Sequence, residues 1–301
     1  MPRIVAHLIV GAKPEPFLPA MLSSIAGCAQ HLFVNENSGL GDDAPNLNAL
    51  RASIFAQENR LTIARTTFTT FADARNVCFD LDARADERTW IIFIDADEVH
   101  GKPFAQIGSK LDRLAPSIGF VDAYTWHFFG TYDWYTSIER RLMFHRWTPR
   151  ARWHGEVHER LTGVPEGRIA LPYVYAHYGN VMPFSEYARK GAQYSSLGAA
   201  GTPLSPQDAH AADFHGDMKA VEEFFTDKWP SLLHFSGLHP QAARSSIAFE
   251  IEHKGAHFKR VDAIIRKHQP AIQRFKNTIM KLNYEQRWRA RAIAALRYSI
   301  R

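Results

Sequence analysis

Apolar and polar residues alternate along the first half of the chain in a pattern that predicts strands separated by helices. Short apolar runs rich in β-forming residues occupy positions 4–10, 31–35, 61–66 and 90–95. The stretches 15–29 and 71–85 between them repeat apolar side chains at helical spacing. This alternation is typical of βαβ units and a mostly parallel sheet. Because parallel sheets bind ligands at the carboxyl ends of their strands, we expect the loops after these strands to meet at one crevice.

The second half of the chain departs from this alternation. Aromatic residues crowd the β-like stretch 120–153, which predicts added antiparallel strands beside the crevice. Farther along, residues 184–197 and 209–225 have helical patterns. We therefore divide the chain into an α/β domain over residues 1–182 and a mainly helical, basic region over residues 183–301.

The composition is that of a folded, water-soluble protein. Of the 301 residues, 46% are hydrophobic and 22% are charged, which excludes the disordered and fibrous classes. No apolar run approaches the roughly 20 residues that a membrane helix needs, and the opening run is too short for a signal sequence. We therefore expect a cytoplasmic protein. Cys28 and Cys78 lack a paired metal spacing, which predicts buried free thiols rather than a disulfide or a zinc site.

The basic charge is concentrated at the C-terminal end. Residues 251–301 contain 13 Lys and Arg against 3 Asp and Glu, whereas the rest of the chain has 23 basic and 28 acidic residues. An apolar stripe over residues 258–282 predicts an amphipathic helix in this segment. Such a helix favours an anionic partner: a membrane surface touched peripherally, a nucleic acid or an acidic glycan.

Three carboxylates close the fourth predicted strand. The apolar run 90–94 ends in Asp95-Ala96-Asp97-Glu98. Two aspartates one residue apart in a turn can present oxygens to one Mg²⁺ or Mn²⁺, a hard cation that also takes oxygens from a diphosphate. By itself the pattern fits an acidic helix N-terminus equally well.

Several further motifs, in the same order along the chain, resemble the family 2 glycosyltransferases of the GT-A fold over about the first 180 residues. They are the loop and helix with Glu15, the cluster Val34-Asn35-Glu36-Asn37-Ser38-Gly39, the element Ala74-Arg75-Asn76 and the strand that ends at Asp95. The stretches 153–159 and 176–179 resemble the branch that includes lipopolysaccharide-core glucosyltransferases. The resemblance implies an α/β fold of the GT-A (nucleotide-diphospho-sugar transferase) class, a Rossmann-like mixed sheet with a helical C-terminal subdomain.

The resemblance also implies roles for individual residues. Those implied to bind the donor are Glu15, Asn35, Asn37, Arg75, Asn76 and Asp95. Asp95 and Asp97 would hold Mn²⁺ or Mg²⁺, with His177 completing the shell and His158 as a further candidate. Glu159 is the candidate general base of an inverting transfer, with Glu156 second.

Other interpretations of these residues stay open. Glu159 fits a salt bridge to a nearby arginine, His177 fits a hydrogen-bonded core histidine, and Arg75 suits the diphosphate, a pair with an aspartate or a surface helix charge.

These expectations describe a hexosyltransferase that uses a UDP-sugar as donor. Family members often have Asp where Asn35 stands, so the uracil contact is less specific here. A glycan or lipid-linked glycan is the first choice of acceptor. DNA with a hydroxymethylated base is the alternative, because the basic tail and the Arg/aromatic stretch 140–153 could hold phosphates and stack on bases. A protein acceptor is third, and a non-catalytic module that binds nucleotide sugars or nucleic acid is the competing class.

Overall fold

The computed structural model describes residues 2–156, 159–199 and 202–275. The strands in these residues are β1 Arg3–Val10, β2 His31–Glu36, β3 Leu61–Arg65, β4 Thr89–Phe93, β5 Glu98–Val99, β6 Ile118–Phe129, β7 Thr131–Arg146, β8 Arg152–His154, β9 Arg160–Thr162, β10 Gly167–Asn180 and β11 Leu233–His234. The α-helices are α1 Leu18–Ile25, α2 Leu47–Arg51, α3 Ile54–Gln57, α4 Phe71–Leu81, α5 Gly108–Leu111, α6 Phe184–Ser196, α7 Pro206–His210, α8 Lys219–Phe224 and α9 Arg244–His268.

The main sheet is mixed, with a parallel part built from the first four strands. β1 lies between β2 and β4, β2 also pairs with β3, and these three pairings are parallel. The strand order is β3-β2-β1-β4-β7-β6-β10-β5, with β7 antiparallel to β4. The predicted class, a mixed α/β sheet followed by a mainly helical C-terminal part, is confirmed. The carboxyl ends of β1 to β4 lie at one edge of the sheet, as expected.

Burial explains why these segments form the sheet. The side chains of β1 and β4 are buried almost throughout, as is usual for central parallel strands that are covered on both faces. The helix α4 begins where the Thr70 side chain accepts a hydrogen bond from the Asp73 backbone N–H. It ends at Leu81 rather than at residue 85, and the next residue, Asp82, forms a buried ion pair with Arg3 at 2.6 Å.

The chain forms two compact units that alternate along the sequence. The first comprises Met1–Tyr124, Arg140–Tyr175 and Pro240–Ala243, and the second comprises Thr125–Glu139, Ala176–His239 and Arg244–Arg301. Strands β6, β7 and β10 therefore contribute residues to both. Each unit has its own hydrophobic core: the first packs side chains of β1, β4 and α1, and the second packs those of α6, α8 and α9.

One expectation for the second unit needs correction. The predicted helix 209–225 is interrupted, because Gly216 adopts a left-handed φ of 73° between a π-helical turn at Ala211–His215 and α8. In the predicted apolar stripe, Val261, Ile264 and Ile265 are buried in the core of this unit. Ile272 and Phe275 of the same stripe are exposed, so the peripheral membrane contact stays a prediction. Residues 276–301, with most of the predicted basic tail, lie outside the described residues.

Two further expectations concern membrane helices and cysteines. Among the described residues, no helix has the length and apolar character needed to cross a bilayer. Cys28 and Cys78 are buried free thiols, as predicted, and burial raises the pKa of each to about 12.

Candidate functional site

The acidic turn after β4 is closed on itself by hydrogen bonds. The Glu98 backbone N–H donates to the Asp95 carbonyl at 3.1 Å, and the Asp95 N–H donates to Glu98 Oε2 at 3.2 Å. The hydroxyl of Tyr175 donates to Glu98 Oε1 at 3.3 Å, and the Glu98 side chain is buried. Glu98 thus fixes the conformation in which the turn presents Asp95 and Asp97.

Arg75, on α4, joins the acidic turn to the candidate base. Its Nη2 donates to Asp95 Oδ1 at 3.0 Å and its Nε donates to Glu159 Oε1 at 2.5 Å. The guanidinium is 8% exposed and lies over the Phe93 ring, with 4.1 Å from Cζ to the centroid. Arg75 therefore forms the predicted pair with an aspartate, and its interpretation as a surface charge is wrong. The arginine salt bridge considered for Glu159 is also present.

The electrostatics of this group favour charged side chains. Burial alone would raise the pKa of Asp95, but Arg75 and Arg141 outweigh it and hold that pKa below its usual value. Burial alone would lower the pKa of Arg75, but Asp95 and Glu159 raise it above the usual value. Asp97 acts in the opposite sense to the arginines, since its charge raises the pKa of Asp95. The turn therefore concentrates negative charge that the arginines only partly compensate.

Arg141, on β7, is a member of the site that was not predicted individually. Its Nη1 lies 3.4 Å from Glu98 Oε1 and its Nη2 lies 3.8 Å from Asp95 Oδ2. These carboxylates raise its pKa above the usual value, although burial acts against them. The register of β4 and β7 could have located this residue. Ile92 faces Phe144, and continuing this antiparallel pairing by three residues places Arg141 opposite Asp95.

The hairpin of β8 and β9 carries the candidate bases. The Asn76 side chain binds the backbone of Trp153 twice: Nδ2 donates to the carbonyl, and Oδ1 accepts from the N–H, both at 2.9 Å. Asn76 is thus used to attach the hairpin to α4. Glu159 lies next to Arg75, whereas Glu156 is exposed in the intervening turn. His158 lies outside the described residues.

The remaining predicted donor residues lie at the ends of β1 and β2. Asn35 is fully buried; its Nδ2 donates to the Ala74 carbonyl and its Oδ1 accepts from the Thr66 hydroxyl. Asn37 is also buried, and Glu15 lies 3.7 Å from Lys13 Nζ. The roles of Asn35, Asn37 and Glu15 in donor binding stay predictions.

Asn46 organises the loop that carries Glu15. Its amide donates to the carbonyls of Gly11 and Lys13 and accepts from the Glu15 N–H, at 2.8–3.0 Å. This role was not predictable from the sequence, because a lone asparagine in a polar loop has no pattern that identifies its partners.

His177 belongs to the second unit. Its Nδ1 lies 2.9 Å from His127 Nδ1, and His127 Nε2 lies 2.5 Å from Asn180 Nδ2. The side chain is buried, so the interpretation as a hydrogen-bonded core histidine describes its surroundings. Its predicted role as a metal ligand stays a prediction.

The Arg/aromatic stretch 140–153 is used largely within the protein. Phe144 and Trp153 are buried. Arg146 donates to backbone carbonyls and lies 4.4 Å over the Trp90 ring, and Arg152 donates to Asp80 at 3.2 Å. These contacts are those of ordinary strands, in which aromatic rings are buried and arginines bind groups of the protein itself. They do not favour the DNA-binding interpretation.

Comparison with known proteins identified no matching family model and no matching curated protein. Among solved structures, the chain is similar to the mannosyltransferase PcManGT from Pyrobaculum calidifontis in complex with GDP-Man and Mn²⁺. That match has 13% identity and a TM-score of 0.43 over 98% of this chain and 86% of the other. It is also similar to S. aureus TarS 1–349, with 10% identity and a TM-score of 0.32 over 95% and 91%.

Proposed function

We propose that this chain is a metal-dependent glycosyltransferase of the GT-A type that moves a hexose from a UDP-sugar to a hydroxyl of a glycan or lipid-linked glycan. The observation that carries the proposal is the charge of the site in the first unit. The site contains four carboxylates, those of Asp95, Asp97, Glu98 and Glu159, and two guanidinium groups, those of Arg75 and Arg141. Its formal charge is therefore −2. A divalent cation would cancel this charge.

The donor set suits a hard cation. Carboxylate oxygens are the ligands that Mg²⁺ and Mn²⁺ prefer, and one oxygen each of Asp95 and Glu98 lie within 4.8 Å of one another. Asp95 and Asp97, the pair predicted from the sequence, would hold the ion, and Glu98 is close enough to Asp95 to contribute an oxygen. When bound, the ion would act as a Lewis acid on the diphosphate of the sugar donor.

The proposed acid–base step uses Glu159. Arg75 holds one oxygen of this carboxylate, and we assign proton removal from the acceptor hydroxyl to the other, Oε2, with Glu156 as the second choice. An inverting course follows from this assignment, since the acceptor would attack the anomeric carbon from the side opposite the leaving diphosphate. Arg75 would fix the orientation of the base relative to the acidic turn.

The test is metal-dependent turnover by a matched pair of variants. The purified protein is incubated with Mn²⁺ and a panel of nucleotide sugars, and release of nucleoside diphosphate is measured with and without glycan acceptors. We expect Asp97→Asn to lower the rate about 100-fold or more, because the metal supplies several kcal/mol of charge stabilisation. Asp43→Asn, a change at an exposed aspartate, should keep full activity.

Two outcomes of this assay would reject the proposal. One is that no nucleotide sugar is consumed with any divalent ion, which would favour a non-catalytic module. The other is that Asp97→Asn turns over as fast as the unaltered protein.

A further inference from the structure

The two arginines beside the acidic turn differ in their exposure to solvent. Arg75 makes two short hydrogen bonds, at 2.5 and 3.0 Å, and is 8% exposed between α4 and the hairpin of β8 and β9. Its guanidinium is stacked over Phe93. These contacts give Arg75 a fixed place as a link between Asp95 and Glu159, and a phosphate could reach it only by displacing them.

Arg141 is more open to solvent than Arg75, since its side chain is 29% exposed against 8%. Its Nη1 lies 3.4 Å from Glu98 Oε1 and its Nη2 lies 3.8 Å from Asp95 Oδ2. It projects from β7 beside the turn that presents Asp95 and Asp97. A guanidinium presents five N–H donors in a planar fork that matches phosphate oxygens in pairs.

We propose that Arg141 binds the diphosphate of the sugar donor directly, and that Arg75 only positions Asp95 and Glu159. The inference rests on the proposed function. In the transfer, the bond between the anomeric carbon and the β-phosphate oxygen breaks and its electron pair stays on that oxygen. The acceptor oxygen bonds to the anomeric carbon and its proton goes to Glu159. The guanidinium of Arg141 donates hydrogen bonds to the diphosphate as this negative charge develops.

Charge balance supports this assignment. With a divalent ion bound, the four carboxylates and two arginines of the site sum to zero formal charge, so a diphosphate adds negative charge that needs hydrogen-bond donors of its own. Arg141 is the more exposed of the two arginines beside the turn, and it lies within ion-pair distance of Asp95 and Glu98. It can therefore contact an anion bound next to them without moving its strand.

The experiment compares binding of UMP and UDP by isothermal titration calorimetry in the presence of Mn²⁺. In the unaltered protein UDP should bind more tightly than UMP. We expect Arg141→Met to reduce the affinity for UDP by about 10- to 100-fold, the size of one or two charge-assisted hydrogen bonds, and to leave that for UMP nearly unchanged. Arg141→Lys keeps the charge but not the fork, and should lose less. Arg140→Met, which alters the neighbouring half-exposed arginine paired with Asp122, is the matched control and should behave as the unaltered protein.

The outcomes separate this inference from the proposed function. Equal losses of affinity for UMP and UDP in Arg141→Met would mean that Arg141 only shapes the turn, and an unchanged UDP affinity would mean that it does not contact the diphosphate. Either result overturns this inference and leaves the proposed function standing. If the unaltered protein does not bind UDP with Mn²⁺, the proposed donor class fails and the inference fails with it.

Discussion

Replacing Arg75 by methionine tests the central ion-pair network. Methionine keeps much of the packing volume over Phe93 but removes the guanidinium that bonds Asp95 and Glu159. Removing one partner of a buried pair leaves an uncompensated charge and costs about 3–5 kcal/mol. Arg141 still lies 3.8 Å from Asp95 and offsets part of this loss. We therefore expect a decrease of about 3 kcal/mol in the free energy of unfolding at pH 7.

The same variant should respond to pH in a defined direction. The pKa of Asp95 is below its usual value in the folded protein, so its stabilising contribution is present above the unfolded-state value of about 3.9 and is lost as the pH falls below it. Without Arg75 this depression of the pKa is smaller. The difference between the two proteins should therefore be largest near pH 7 and shrink at about pH 3.5.

Urea unfolding followed by tryptophan fluorescence at both pH values measures these differences. Arg152→Met is the control, because Arg152 and its partner Asp80 are 43% and 67% exposed and such surface pairs contribute less than about 1 kcal/mol. Arg75 does not form a stabilising ion-pair network if the free energy of unfolding of Arg75→Met is within about 1 kcal/mol of that of the unaltered protein at pH 7. The same holds if the difference in this free energy is equal at both pH values.

Two further predictions concern the hairpin and a buried histidine. Asn76→Ala removes both hydrogen bonds to the Trp153 backbone, so the free energy of unfolding should fall by about 2 kcal/mol and the amide hydrogens of β8 should exchange faster. Unchanged exchange in β8 would show that Asn76 does not attach the hairpin to α4. Burial lowers the pKa of His100 to about 3, so the folded protein stays unprotonated there while the unfolded chain takes up a proton below about pH 6.5. The free energy of unfolding, measured in urea, should thus fall as the pH drops from 8 to 5. In His100→Phe this fall should be smaller by about 2 kcal/mol. Equal falls in both proteins would contradict the prediction.

The strands were predictable because each apolar run is bounded by turn-forming residues. β1 and β2 begin and end within one residue of the predicted limits, and the fourth strand ends at Phe93, two residues before the predicted Asp95. The helix 209–225 was not predictable in this detail, since its interruption depends on a left-handed Gly216 that the periodicity does not reveal.

The site was predictable in part. The resemblance predicted site roles for Arg75, Asp95 and Glu159, and the Arg75 side chain contacts both of the others. The contact of Asn76 with the hairpin could not be predicted, because its partner is the backbone of a residue 77 positions away and every residue has the same backbone groups. Asn35 illustrates the same limit: its amide is occupied by Ala74 and Thr66, which only the tertiary structure brings together.

The most direct measurement is anomalous X-ray scattering from crystals soaked with Mn²⁺ and UDP. We expect a manganese peak at the turn after β4, about 2.0–2.3 Å from carboxylate oxygens of Asp95 and Asp97, with the diphosphate on the same ion. A turn without a peak, together with UDP bound elsewhere or not at all, would contradict it.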